Sequence, residues 1–232
     1  MTRLFLLLSI PLLLSSSSRA SAACKDGRLV CDGHANPPGA AVVAPDPTAT
    51  LDCNTLHQTI HLEFDHVAGL AGTDAVSVTG HWPYAATIDD YTLTGLAAGT
   101  VVPITVVGDF DLQNIRKDTA VTWSGGWVGT PPIPGAPDPS YVETYFTASA
   151  TGTETATRQV RLAVNMKAGE PFDIQLSAAV FASGGAGGFS HGRLSFEGLP
   201  PGTSITSCKG FRQDAPTPAL AKSWGGLKAT YR

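Results

Sequence analysis

The chain has 232 residues, 15 basic against 19 acidic side chains for a net charge of −4, and only 15% charged residues against 43% hydrophobic. A mildly acidic chain without basic clusters argues against a nucleic-acid partner. The 25 glycines and 17 prolines argue against long amphipathic helices and for short strands joined by turns.

The N-terminus has the layout of a secretory signal peptide: Arg3, the apolar run Leu4 to Leu14, then Ala20-Ser21-Ala22 for cleavage before Ala23. The apolar run is too short to span a bilayer, and no second run of spanning length follows. A lipidated Cys24 would need a large apolar residue where Ser21 stands. The expectation is a mature chain of net charge −6, secreted to an extracellular or periplasmic space, with no membrane span.

Export makes Cys24, Cys31, Cys53 and Cys208 disulfide candidates. Four cysteines allow three connectivities; spacing favours Cys24–Cys31 closing a small loop and Cys53–Cys208 tying the start of the core to its end. The paired spacings of a zinc site are absent from the sequence, and no cofactor is expected.

Residues 23–50 are Pro-rich and read as an extended lead-in holding the small cysteine loop. Thr55 to Asp65 is the first clear strand. Leu56, Ile60, Leu62 and Phe64 alternate with polar residues, the period of a half-buried antiparallel strand. Further strands are expected at Ala75–Thr79, Asp90–Thr94, Val101–Phe110, Ala120–Trp123, Tyr141–Ala148, Thr155–Asn165, Phe172–Ala182 and Gly192–Glu197, with a last one from Ile205. This is the pattern of an all-β, antiparallel β-sandwich of immunoglobulin/fibronectin-like or jelly-roll-like type, one domain over residues 51–212. The segments Gly95-Leu-Ala-Ala-Gly-Thr100 and Gly198-Leu-Pro-Pro-Gly-Thr203 read alike, which fits either equivalent crossings of the sandwich or independent uses of a common turn. Residues 213–232 read as a linker and tail, with Leu220, Trp224, Leu227 and Tyr231 at helical spacing and Gly225-Gly226 opposing a helix.

The stretch Ala168 to Phe211, with AGEPFDIQLSAAVFAS followed by GFSHGRLSFEGLPPGTSITSCKGF, resembles the closing strands of exported bacterial β-sandwich proteins of the PEP-CTERM exoprotein type. That resemblance implies a sandwich and is silent on activity; the PEP motif, apolar helix and basic end of that sorting signal do not occur here. Tyr91 to Thr100 is similar to the segment before the sixth strand of fibronectin type III domains, although Val102 stands where those have tyrosine. The ending SWGGLKATYR is similar to short tails on secreted bacterial proteins.

Several motifs bear on chemistry. Gly188-Phe-Ser190-His191-Gly192 is a literal G-x-S-x-G, but the nucleophile-elbow reading requires a strand-to-helix turn and a later histidine. A strand pattern follows instead, so no catalytic residue is assigned and the glycines are read as serving a loop. His57 and His61 lie four apart on a strand, roughly 13 Å, too far to share a metal. His61 with Glu63 would need help from a neighbouring strand, and His34, His66 and His81 have no partner at ligand spacing. Asp109 and Asp111 are weak calcium candidates, lacking the glycine and distal glutamate of a loop site. Trp123 reads as core. The Pro/Gly-rich stretch from Trp123 to Tyr141 reads as a long loop holding Trp127, which with Trp82 and Tyr84 forms a candidate ligand-contact set for a carbohydrate or protein partner.

The expectation is a non-catalytic binding or structural module of the cell surface or extracellular space. The alternatives are a polysaccharide hydrolase or lyase using acids such as Glu63, Asp65 and Glu197, and a calcium-dependent adhesion module using Asp109 and Asp111.

Overall fold

The computed structural model describes residues 24–32, 39–53, 59–78, 82–116, 122–130, 141–148 and 151–216. Residues 1–22, expected as a signal peptide, and His34, His57, His81, residues 131–140 and the tail beyond residue 216 lie outside them. Among the described residues there is no helix, and every strand pairing is antiparallel.

Two sheets result. The first is built from β1 (Gly27–Asp32), β2 (Gly39–Ala44), β6 (Tyr84–Thr94), β8 (Thr122–Gly129), β9 (Tyr141–Thr147), β11 (Pro171–Ala182), β13 (Ser204–Ser207) and β14 (Arg212–Asp214). Its main order is β14-β13-β6-β11-β8-β9, with β1 pairing the opposite end of β6 and carrying β2. The second sheet runs β10-β7-β12-β5-β4-β3, from β3 (Thr48–Asp52), β4 (Thr59–Asp65), β5 (Leu70–Val78), β7 (Val101–Arg116), β10 (Gly152–Lys167) and β12 (Ala186–Glu197). Inward side chains of both sheets form one core, as in a β-sandwich. In β4, Ile60, Leu62 and Phe64 are buried, as their alternation demands.

Residues expected as a lead-in supply strands to both sheets: Leu29 on β1 is fully buried, and β3 closes one edge of the second sheet. The cysteines pair Cys24–Cys208 and Cys31–Cys53, with Cα–Cα distances of 5.5 and 6.1 Å, so the connectivity favoured by spacing is overturned. The reason is topological: β1 joins the first sheet beside β6, which puts Cys31 opposite the end of β3 in the other sheet. Cys31–Cys53 therefore links the two sheets, and Cys24–Cys208 holds the chain's start to the turn after β13. In the chain-entropy model, closing 184 and 22 residues contributes about 5 and about 3 kcal/mol respectively.

The two G-L-x-x-G-T segments are equivalent crossings. Gly95, Gly99, Gly198 and Gly202 all take positive φ, between 79° and 92°. Thr100 and Thr203 each donate from their hydroxyl to the carbonyl three residues back, at 2.7 Å in both cases. One segment carries the chain from β6 to β7 and the other from β12 to β13. They lie against each other, since a Cβ on Gly95 would meet the Gly202 carbonyl at 2.5 Å.

The core has two characters. Near those crossings Tyr91, Phe196 and Phe211 form a three-ring cluster with centroids 5.2 to 5.7 Å apart. Farther along, the sheets meet through small residues and hydrogen bonds that cross between them. Thr73 donates to the Ala178 carbonyl (2.8 Å), Ser190 to Gly125 (2.7 Å) and Thr122 to Gly187 (3.1 Å). Phe110 fills the space that glycines leave: a Cβ on Gly126 of the first sheet would overlap its ring, and one on Gly192 of the second would lie 2.5 Å from it. The glycines of G-x-S-x-G are thus strand residues of β12, not loop residues, and Ser190 is buried and spent on a carbonyl.

Because the overlap is with the body of a fully buried ring, overpacking at this seat should cost about 1–3 kcal/mol. Gly126→Ala is expected to lower stability in urea by that amount, and Phe110→Leu in the same chain to recover part of it. Strictly additive losses in the double-mutant cycle would contradict the contact.

Candidate functional site

Side chains alternate along β8, so the inward set Thr122, Ser124, Gly126 and Val128 sends Trp123 and Trp127 to the outer face of the first sheet. Trp127 therefore belongs to a strand, not to a loop, and Trp123 is half-buried on that outer face, not in the core. The register β6-β11-β8-β9 then sets the rest. Tyr84, Ala179, Gly125 and Tyr145 align in one row across four strands; Trp127 lies directly opposite Glu143, and Trp123 opposite both Phe181 and Thr147.

The row Tyr84-Ala179-Gly125-Tyr145 has almost no bulk at its centre. Both central residues are buried, and the trench that opens on this face is lined by Trp82, Trp127 and Glu143. Trp123 and Trp127, four residues apart on one strand and hence roughly 13 Å along it, make the walls. Trp82, just before β6, packs edge-on to Trp123 with centroids 5.8 Å apart, and Tyr84 lies 6.3 Å from Trp127. Phe181 stacks on Trp123 at 6.0 Å and 17°. The three residues read from sequence as ligand contacts, Trp82, Tyr84 and Trp127, thus come together on one face.

Two adjoining cavities open there, of about 270 and about 330 Å³, and both are lined by Trp82, Trp127 and Glu143. Tyr141, Thr130 and Gln175 complete the first; Trp123, Tyr145 and Thr147 are on the second. Tyr141 and Tyr145 are 60% and 68% exposed, unusually high for rings with no role in packing. Sequence reading missed Tyr141, Glu143 and Tyr145 as site residues. The signal of the two tyrosines was present in Tyr141-Val-Glu-Thr-Tyr-Phe-Thr147, where they share the face that alternation marks as polar.

No protein-family model and no curated protein matches this chain. Among solved structures it is similar to one described as "Family 16 Carbohydrate Binding Module-2", at 9% identity and TM-score 0.26 over 56% of this chain and 85% of that one. It is also similar to a chain of "Structure of infectious bursal disease virus Gx strain", at 10% identity and TM-score 0.17 over 91% of this chain and 66% of that one. Likenesses of this size say nothing of what this chain binds.

The outer face of the second sheet is polar. Asp109 accepts a hydrogen bond from Gln159 (2.7 Å) and Asp111 from Thr157 (3.2 Å), so the two acids read as calcium candidates are engaged by β10. Glu63, Asp109, Asp111, His191 and Arg193 line a depression of about 500 Å³. His191 bonds Asp74 at 2.9 Å, and that bond, with further acids nearby, raises its pKa. Asp65 accepts from the Ala68 amide in the β4–β5 turn, Glu197 pairs with Arg161, and His61 pairs with Asp52 at 2.6 Å. Among the described residues no three His, Cys, Asp or Glu side chains converge on a metal-sized site. His66 is fully buried 3.9 Å from Asp89, and burial lowers its pKa, leaving it neutral near pH 7.

On the outer face of the first sheet, one step beyond Gln175, Asp173 lies directly opposite Asp90, with Lys25 paired to both. Burial, together with the hydrogen bond to Asp173 and its like charge, pushes Asp90 up to about 6. Burial would raise Asp173 as well, but hydrogen bonds from Asp90 and Lys25 outweigh it and hold that carboxyl low. A raised carboxyl opposes folding once ionised. Its penalty is absent below the ordinary 3.8, grows up to about 6 and is complete above that. Asp90→Asn is therefore expected to make the chain more stable than wild type above about pH 6, a gain that vanishes below the ordinary value. Urea melts across that range provide the check, and a difference that does not change with pH would contradict the shared proton.

Proposed function

We propose that this protein is an exported, non-catalytic binding module, and that the aromatic outer face of the first sheet is a carbohydrate-binding platform. The observation that carries this reading is the trench itself: Trp82, Trp127, Tyr141 and Tyr145 line two adjoining cavities on the outer face of the first sheet. Aromatic rings offer large, rigid contact area with few rotors, and such surface left in water marks an interaction site.

A sugar fits the chemistry of this face better than a purely apolar partner. Pyranose rings present a C–H face that can lie on an indole or phenol and a rim of hydroxyls. Glu143, Gln175, Thr130 and Thr147 stand among the aromatics and can satisfy that rim, in the manner of a mostly apolar site with a few placed polar groups. The leader-like residues 1–22 and the two disulfides support export, where polymeric glycans are met.

Fluorescence titration of the intact protein with a panel of soluble glycans tests this, since Trp82, Trp123 and Trp127 all border the trench. At least one glycan should change the emission saturably. Trp127→Ala, with melting unchanged to within about 1 kcal/mol, should weaken that glycan about five- to tenfold, the worth of one aromatic contact. Absence of any saturable response across neutral, acidic and basic glycans would overturn the reading.

A further inference from the structure

Among the described residues that line the trench, Glu143 is the one charged side chain. Glu143 is exposed on β9, lines both cavities, and makes no hydrogen bond or ion pair among the described residues. No lysine or arginine is among the residues lining either cavity. Several other surface acids are paired: Glu197 with Arg161, Asp173 with Lys25, Asp74 with His191 and Asp52 with His61.

The neighbours of Glu143 add to this. Trp127 stands directly across the strand pair, and Tyr141 and Tyr145 flank it two residues away on the same face. Each presents a ring whose face attracts cations, so the carboxylate and the rings favour the same sign of charge. A neutral hydroxyl would satisfy Glu143 but leave that second attraction unused, and an acidic sugar would be repelled.

We infer that the trench selects cationic amino-sugar glycans, with a protonated sugar amine seated against Glu143 among Trp127, Tyr141 and Tyr145. This rests on the carbohydrate reading of the same face and adds the charge of its ligand. The amine is held as an exposed ion pair and by ring faces, two modest contributions that together amount to about tenfold in affinity. Added salt should erode that preference, because the pair is open to water.

The test compares glucosamine oligomers with N-acetylglucosamine oligomers of equal length, below the pH at which the amines lose their protons. The intact protein should bind the free-amine oligomer about tenfold more tightly. Glu143→Gln, which keeps the shape of an exposed side chain, should abolish that preference by lowering the affinity for the free-amine oligomer to that for the acetylated one. Glu143→Lys should reverse it towards oligomers of a uronic acid. Asp111→Asn, on the opposite sheet face, removes the same charge and should change nothing, which separates a seated amine from general attraction to an acidic protein.

Equal binding of the two oligomers, or a preference that survives Glu143→Gln, would overturn the inference while leaving the carbohydrate platform standing. An equal loss in Asp111→Asn would overturn it too. If no glycan of any charge binds, the platform reading falls and this inference with it.

Discussion

The close approach of the two sheets at their small-residue seam is the constraint on which the rest depends. Glycines at 126 and 192 let the Phe110 ring cross the interface, and hydroxyls of Thr73, Thr122 and Ser190 reach carbonyls of the facing sheet. Each of those bonds is buried, so losing its partner would leave an unsatisfied polar group in the core, at about 1–3 kcal/mol. A slip of β8 by one residue would break the seam and turn Trp123 and Trp127 inward. The seam thus fixes which side of β8 meets the solvent, and so fixes the aromatic face.

Once β8 is set, the trench follows from pairing alone. Gly125 and Ala179 are aligned across β8 and β11 and both are buried, and the same row finishes in Tyr84 and Tyr145. Three of the four strands involved, β6, β8 and β11, also contribute fully buried residues to the core, which makes most of the face a rigid surface. Such a surface loses little conformational freedom on binding. The disulfides hold the N-terminal strands to the body, Cys31–Cys53 near the end of β6 that carries Tyr84 and Cys24–Cys208 near Asp90.

The sandwich was legible wherever strands obey a simple period. β4, β7 and β10 show it, because one of their faces is apolar and the other is largely polar. β8 was only half legible: Ser124-Gly125-Gly126 looks like a turn, and only the opposing Phe110 explains why glycines occupy a strand. For the same reason the sequence reads as a loop at Trp127 and as core at Trp123, whereas both lie on the outer face of β8 beside Trp82 and Tyr84. The cysteine pairing was not legible, since it depends on β1 joining β6, a contact between segments more than fifty residues apart. Glu143 carried no signal of its own; its meaning comes from standing opposite Trp127.

The central claim is that ligand meets this protein on the outer face of the first sheet. The indole N–H resonances of the four tryptophans report on it directly, three of them bordering the trench and Trp224 lying in the tail. On titration with a bound glycan, the Trp82 and Trp127 signals should shift together and saturate at one dissociation constant, while amides of Asp109, Asp111 and His191 on the opposite face stay in place. Saturable shifts at those three residues with still indoles would contradict the account.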